Sequence, residues 1–108
     1  MRKVLVVDDE FLVRVGIKSF LNWEENGYTI IGEAADGKQA LEIMERELPD
    51  VVLTDLKMDG MDGFELIQVS RKRFPTVQFV VLSSFEDGEN VKRAMKLGAA
   101  DYIFKLTS

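Results

Sequence analysis

The stretch VLVVDDE, residues 4–10, places four apolar residues directly before three acidic ones. A near-continuous run of Val and Leu is typical of a strand that is buried on both faces of a parallel sheet. The three carboxylates that follow repel one another unless a positive charge compensates them. A second stretch, VVLTD at residues 51–55, has the same form and also ends in an acid. Together these stretches predict two buried strands with acids at their carboxyl ends.

Strand-like and helix-like segments alternate along the whole chain. The five strand candidates are KVLVV (3–7), YTIIGEA (28–34), VVLTD (51–55), VQFVVL (77–82) and ADYIF (100–104). Four segments with apolar residues at helical spacing lie between them, and the first carries the stripe Phe11, Leu12, Val15, Phe20 and Leu21. This order predicts an α/β, doubly wound fold: a five-stranded parallel sheet with helices on both faces and right-handed crossovers.

Short sequence signals mark the ends of the predicted helices. Asp36 precedes Gln39 and Asp62 precedes Glu65 by three positions, which is the spacing of a helix N-cap and the residue that contacts it. Gly98 lies where a glycine commonly ends a helix. These signals support the same division of the chain.

Length and composition exclude several classes of protein. The 108 residues indicate one domain, 1–108, and the absence of Cys and His excludes a disulfide framework, thiolate metal ligands and a histidine base. The net charge of −5 argues against nucleic-acid binding by this segment alone. The apolar runs are too short for a membrane span, and the N-terminus lacks an export signal, so we expect a cytoplasmic protein with no membrane contact.

The strand-end acids predict a cation site. Asp8 and Asp9 end the first strand and Asp55 ends the third, and neighbouring parallel strands lie about 4.8 Å apart. If these two strands are neighbours, three carboxylates converge at one edge of the sheet. Hard oxygen ligands of this kind select Mg²⁺ or a similar ion, which favours phosphate chemistry.

The ends of the fourth and fifth strands add groups that could hold phosphoryl oxygens. Ser83 offers a hydroxyl, Ser84 a backbone N–H, and Lys105 an ammonium group. With these partners, the acids suit the transfer of a phosphoryl group onto Asp55.

Across essentially its whole length, the chain resembles a bacterial response-regulator receiver domain. The matching motifs are VVDDE (6–10), VVLTDLKM with GMDG (51–58 and 60–63), VVLSS (80–84) and LGAADYIFK (97–105). Residues 12–42 are most similar to receivers that precede an AraC-type DNA-binding domain. The resemblance implies a flavodoxin-like sheet with strand order 2-1-3-4-5, and a phosphorylation-dependent signalling switch that autocatalyses its own phosphorylation but is not a turnover enzyme.

The resemblance also implies roles for single residues. Asp55 would accept a phosphoryl group from the phosphohistidine of a sensor histidine kinase. Asp9 and Asp55 would bind Mg²⁺ (or Mn²⁺) directly, together with the Lys57 backbone carbonyl, and Asp8 would act through water.

Further implied roles concern the phosphoryl group and its signal. Ser83 and Lys105 would bind phosphoryl oxygens, with Ser84 contributing through its backbone. Tyr102 would turn inward when Ser83 moves towards the phosphoryl group, which changes the face formed by helix four and strand five. The output would be transcription, through a DNA-binding domain outside this chain.

The sequence departs from the family pattern near the site and at its end. Asp59 and Leu106 both stand where the family usually has proline. Because Leu106 follows Lys105, the cis peptide bond that the family has between lysine and proline is not expected here. The chain continues for only four residues after strand five, so a fifth helix is expected to be missing and the domain truncated. Apolar surface exposed in that way would favour a homodimer or other self-association.

Other functions stay open at this point. A small hydrolase with an aspartyl-phosphate intermediate would use the same nucleophile and metal, and an interaction-only pseudo-receiver would use neither. A flavodoxin-like cofactor binder needs a phosphate-binding loop after strand one, where Asp8 and Asp9 would repel phosphate. Asp8 and Asp9 could also serve as helix caps alone.

Overall fold

A computed structural model describes residues 1–84 and 86–105 of the chain. The strands are β1 (Arg2–Val7), β2 (Tyr28–Ala34), β3 (Val51–Asp55), β4 (Gln78–Ser83) and β5 (Asp101–Phe104). The helices are α1 (Phe11–Phe20), α2 (Gly37–Arg46), α3 (Gly63–Arg73) and α4 (Gly88–Leu97). Strands and helices therefore alternate as the sequence predicts, and strand boundaries differ from the prediction by one residue at several ends.

The five strands form one parallel sheet in the order β2-β1-β3-β4-β5, which confirms the predicted doubly wound fold. β1 and β3 are neighbours, and Val7 is paired with Thr54 at their carboxyl ends. The described ranges contain four helices, and none of them is long and apolar enough to cross a membrane. The expectations about Leu106 and the chain after it lie outside the described residues.

The sheet separates two apolar cores of unequal size. The larger one packs the inward side chains of α2, α3 and α4 against the sheet, with Phe79, Leu5, Met44, Leu66 and Ile67 among its largest fully buried members. The smaller one, on the α1 face, is built on Val4, Val6 and Leu53, with Ile17 packed beside them. Burial of both sheet faces explains why these strands are apolar without alternation.

The buried face of α1 differs from the predicted stripe. Phe11 and Leu12 are exposed by 62% and 79%, and Val15 is also exposed. The helix instead turns Val13 and Ile17 towards the sheet, four positions apart and therefore on one helical face. The stripe prediction was wrong because α1 is apolar on more than one side, so its periodicity did not specify the rotation of the helix about its axis.

The predicted cap residues are confirmed. The Asp36 carboxylate accepts a hydrogen bond from the Gln39 N–H (2.9 Å), and the Asp62 carboxylate accepts one from the Glu65 N–H (3.0 Å). Gly98 ends α4 at φ 114°, a left-handed conformation that glycine adopts without steric cost. Local side-chain chemistry thus determines where these helices begin and end.

Candidate functional site

Three acids meet at the carboxyl ends of β1 and β3. One carboxylate oxygen each from Asp8, Asp9 and Asp55 lies within 4.8 Å of the others. Asp8 is fully buried, Asp55 is partly buried and Asp9 is exposed. The cluster forms because β1 and β3 are hydrogen-bonded neighbours whose acids directly follow the last paired residues.

The two carboxylate oxygens of Asp8 have different partners. Oδ1 accepts a hydrogen bond from the Glu10 N–H at 2.9 Å, just before α1 begins. Oδ2 lies 3.0 Å from Lys105 Nζ. The bond from the Glu10 N–H closes a turn before α1, whose N-cap is Glu10 and has no side-chain cap, so Asp8 is not a helix cap and its second oxygen faces Lys105.

Lys105 joins the acid cluster from the end of β5. Its Nζ lies 3.0 Å from Asp55 Oδ2, and its backbone N–H donates to the Ser83 carbonyl at 2.7 Å. The Leu56 N–H donates to Asp55 Oδ1 at 2.8 Å. Both oxygens of Asp55 are thus held, one by an ammonium group and one by the main chain.

Burial and charge act in opposite directions on this pair. Burial raises the pKa of Asp55, and the bond and charge of Lys105 offset this only in part. Burial also lowers the pKa of Lys105, but the carboxylates of Asp55 and Asp8 outweigh it, so that pKa lies above its ordinary value. Lys105 therefore remains positively charged beside the acids at neutral pH.

Ser83 is buried next to this cluster, at the end of β4. Among the described residues its hydroxyl finds no hydrogen-bond partner, although the residue is only 1% exposed. A buried hydroxyl without a partner is uncommon in folded proteins and marks a position suited to an incoming acceptor. Ser84, the next residue, is exposed.

Two other predicted residues lie at the margin of the site. Tyr102 is 43% exposed, and its ring packs edge to face on that of Phe104, with 5.5 Å between centroids. The Lys57 side chain extends into solvent, with Nζ 3.9 Å from an Asp87 carboxylate oxygen. The role expected of the Lys57 backbone carbonyl stays a prediction.

The sequence reading did not single out Arg14 and Glu33, which also reach this edge of the sheet. Arg14 Nη1 donates to the Asp8 carbonyl at 2.6 Å, and Arg14 Nε donates to Glu33 Oε1 at 2.7 Å. Arg14 could have been noticed in the sequence, because it is the one charged residue within the otherwise uncharged segment FLVRVGI (11–17).

The arrangement fits a divalent cation bound beside a phosphoryl acceptor. Three carboxylates supply the hard oxygen ligands that Mg²⁺ and Mn²⁺ prefer, and their mutual repulsion is relieved when a cation binds. Lys105 and the buried Ser83 hydroxyl offer donors to additional anionic oxygens next to Asp55.

The comparisons with known proteins agree with this geometry. A family model described as the response regulator receiver domain matches residues 4–108. The chain is 43% identical over 105 residues to the transcriptional regulatory protein YesN of Bacillus subtilis, covering 97% of this chain and 28% of YesN. It is 42% identical over 106 residues to the response regulator protein VraR of Staphylococcus epidermidis, covering 98% of this chain and 50% of VraR.

A solved structure has the same fold. The REC domain of AraT, a response regulator from Geobacillus stearothermophilus, superposes with a TM-score of 0.90 at 34% identity. The match covers 99% of this chain and 83% of that one.

Proposed function

Because the chain belongs to the response regulator receiver domain family, we propose that it is a phosphorylation-dependent switch in which Asp55 accepts a phosphoryl group from the phosphohistidine of a sensor histidine kinase. Receiver domains of this family are signalling proteins of two-component systems rather than turnover enzymes. The observation that carries the proposal is the convergence of Asp8, Asp9 and Asp55, with Lys105 Nζ 3.0 Å from the acceptor.

Asp55, Lys105 and Ser83 would have different roles in the phosphoryl transfer. An Asp55 carboxylate oxygen attacks phosphorus, and the bond from phosphorus to the donor's leaving group breaks as the new P–O bond forms. Lys105 stabilises negative charge on the transferred group, and the Ser83 hydroxyl donates to one of its oxygens.

A divalent cation fits beside these residues. Asp8, Asp9, Asp55 and the Lys57 carbonyl would hold Mg²⁺ or Mn²⁺, and the bound ion would supply the positive charge that offsets the phosphoryl oxygens. Lys105 alone cannot balance three carboxylates and a phosphoryl group, so the charge count at this site supports a bound cation.

The signal would reach the surface through β4 and β5. When Ser83 bonds a phosphoryl oxygen it moves towards Asp55, and the exposed ring of Tyr102 can then turn inward. This motion would change the face formed by α4 and β5. The Ser84 backbone N–H would be a further donor to the phosphoryl group.

The output would be transcription through a separate DNA-binding domain. The chain spans 28% of the length of YesN and 50% of that of VraR, and YesN is described as a transcriptional regulatory protein. An AraC-type effector is proposed on the resemblance of residues 12–42 to receivers that precede such domains; the descriptions of YesN and VraR name no effector type. A cytoplasmic location and a homodimeric state complete the proposal.

The test is the mass of the intact protein after incubation with acetyl phosphate. We expect a phosphoryl adduct on the wild type in the presence of Mg²⁺, and none in EDTA or on Asp55→Asn. Asp59→Asn is the matched control, since Asp59 is an exposed acid in the loop that follows β3 and should leave the adduct intact. A folded wild type without an adduct would instead identify an interaction-only module, and turnover of a phosphomonoester would identify a hydrolase.

A further inference from the structure

Arg14 connects the acid cluster to the neighbouring strand β2. Its guanidinium donates through Nη1 to the backbone carbonyl of Asp8 (2.6 Å) and through Nε to Glu33 Oε1 (2.7 Å). Lys18 contacts the other oxygen of Glu33. The Arg14 side chain is 14% exposed and that of Glu33 is 29% exposed, so these charge-assisted hydrogen bonds are partly shielded from bulk water.

An irregularity in β2 places Glu33 on the side of the sheet where Arg14 lies. Val4 of β1 is paired with Ile30, but the next residue, Leu5, is paired with Gly32, so one residue of β2 is left without a partner. After this bulge, Glu33 is paired with Val6, whose side chain packs in the core on the α1 face.

Ile30 belongs to that same core although it lies three positions before Glu33. In a regular strand, residues three apart point to opposite faces. The bulge therefore turns the Glu33 carboxylate towards α1, and β-bulges are known to redirect side chains next to functional sites in this way.

With the hydrogen bond from Arg14, both main-chain polar groups of Asp8 and one of its carboxylate oxygens have hydrogen-bond partners. The Asp8 N–H donates to the Ala34 carbonyl at 3.0 Å, and the Glu10 N–H donates to Asp8 Oδ1. The remaining main-chain group of Asp8 is its carbonyl, which belongs to the peptide unit that leads into Asp9. Arg14 holds that peptide unit, so it sets the direction from which Asp9 leaves β1.

We propose that Arg14, oriented by Glu33, is a positioning residue for the divalent-cation site: it fixes the Asp8–Asp9 peptide so that both carboxylates reach the cation. The proposal rests on the proposed function in one respect, that the acid cluster binds a cation. Neither Arg14 nor Glu33 would contact the ion.

Positioning and simple electrostatics predict opposite effects of removing Arg14. If its positive charge only repelled a cation, Arg14→Gln would bind Mg²⁺ more tightly than the wild type. If Arg14 orients the ligands, the same variant binds Mg²⁺ more weakly, because ordering the loop then costs conformational entropy when the ion binds.

The experiment compares Mg²⁺ dissociation constants, measured by isothermal titration calorimetry, for the wild type, Arg14→Gln, Arg14→Lys and Lys18→Gln. Lys18→Gln is the matched control: it removes a positive charge from the same helix and the same carboxylate, but not a contact with Asp8. We expect about 10-fold weaker binding for Arg14→Gln, as for other residues that orient metal ligands, and an unchanged constant for Lys18→Gln.

Arg14→Lys tests whether the geometry of the guanidinium group matters in addition to its positive charge. It keeps the charge but not the guanidinium fork that reaches Asp8 and Glu33 together, so we expect weakened binding here as well. Wild-type affinity of Arg14→Lys, or binding by Arg14→Gln as tight as or tighter than that of the wild type, would overturn the proposal.

Hydrogen exchange of the Glu10 amide in EDTA gives a readout without metal. Since this amide donates to Asp8 Oδ1, its protection should fall in both Arg14 variants and persist in Lys18→Gln. Unchanged protection in the Arg14 variants would contradict the proposal.

The outcome for the wild type separates the two hypotheses. A wild type that takes up Mg²⁺ and phosphate, beside Arg14 variants that bind Mg²⁺ equally well, refutes the positioning role alone. A folded wild type that binds no Mg²⁺ refutes the cation site, and the positioning role with it.

Discussion

Lys105 Nζ lies 3.0 Å from Asp55 Oδ2, although the strands that carry the two residues are separated by β4. The positive charge of Lys105 that compensates the Asp55 carboxylate therefore comes from the end of the edge strand β5. The contact depends on the pairing of both β3 and β5 with β4. It makes the ionisation of Asp55 sensitive to the position of β5.

Replacing Asp55 should stabilise the metal-free protein. Asp55→Asn keeps an acceptor for the Leu56 N–H and removes a carboxylate whose pKa is raised by burial, while Asp8 still contacts Lys105. In EDTA, we expect the free energy of unfolding in urea to rise by roughly 1 kcal/mol, a typical size for a single substitution.

Mg²⁺ should reverse this order, because a ligand stabilises the folded state by an amount that rises with the logarithm of its affinity, and Asp55→Asn removes one of the proposed ligands. Asp59→Asn, an exposed acid, is the control and should change little. A variant that is less stable than the wild type in EDTA would show that the Lys105–Asp55 contact outweighs the cost of burying the carboxylate.

Ser83→Ala should separate stability from phosphorylation. The Ser83 hydroxyl is buried without a hydrogen-bond partner among the described residues, so its removal breaks no bond and leaves almost no cavity. We expect unchanged or higher thermal stability, together with phosphorylation by acetyl phosphate slowed by about 100-fold, as when an enzyme loses one oxyanion donor. Ser84→Ala is the control with an exposed hydroxyl, and equal rates for both variants would argue against a role for the Ser83 side chain.

Gly63→Ala should destabilise the protein because the start of α3 lies against the end of β3. A Cβ atom at Gly63 would lie 2.2 Å from the Asp55 carbonyl oxygen and 2.9 Å from Leu56 Cα, both of them backbone atoms. We expect a loss of about 1–3 kcal/mol in the free energy of unfolding, as for other overpacked sites.

Gly16→Ala is the matched control for this substitution. Gly16 is exposed in the middle of α1, and an added Cβ would meet nothing within 4 Å. Alanine should stabilise the helix there by roughly 0.5–1 kcal/mol. Equal stabilities of the two alanine variants would show that the α3–β3 junction relaxes around the added methyl group.

The pairing of Glu33 predicts a pH-dependent contribution to stability. Hydrogen bonds from Lys18 and Arg14 hold the pKa of Glu33 below its ordinary value of 4.5 in the folded protein. The unfolded chain therefore binds more protons than the folded one between the lowered pKa and 4.5. The contribution is full above 4.5 and is lost as the pH falls through the lowered pKa.

Urea unfolding of the wild type and Glu33→Gln at several pH values measures this contribution. We expect the wild type to be more stable at pH 6 to 7, and the difference to shrink as the pH falls below 4.5. Glu42→Gln, an exposed acid on α2, controls for the loss of one negative charge. A difference that stays constant with pH would contradict the depressed pKa.

Exposed apolar side chains on the α1 side of the sheet predict self-association. Leu12 of α1 is 79% exposed, and Ile103 of the edge strand β5 is 47% exposed. Light scattering should detect concentration-dependent association of the wild type, weakened by Ile103→Lys. Leu48→Lys, at an exposed apolar position after α2, is the control and should associate as the wild type does. A wild type that stays monomeric at high concentration would contradict the prediction.

The amino-acid sequence by itself determined the order of the elements, the helix caps at Asp36, Asp62 and Gly98, and the positions of Asp8 directly after β1 and of Asp55 at the end of β3. Hydrophobic periodicity and capping act over three or four residues, so such features are readable without tertiary structure.

Only the tertiary structure decided which distant groups meet. α1 buries Val13 and Ile17 rather than the predicted stripe, since the rotation of a helix about its axis depends on the sheet it packs against. Likewise, the bulge in β2 turns Glu33 towards Arg14. A strand's register decides which face each side chain occupies, and that register is set by pairing with β1 rather than by neighbours in sequence.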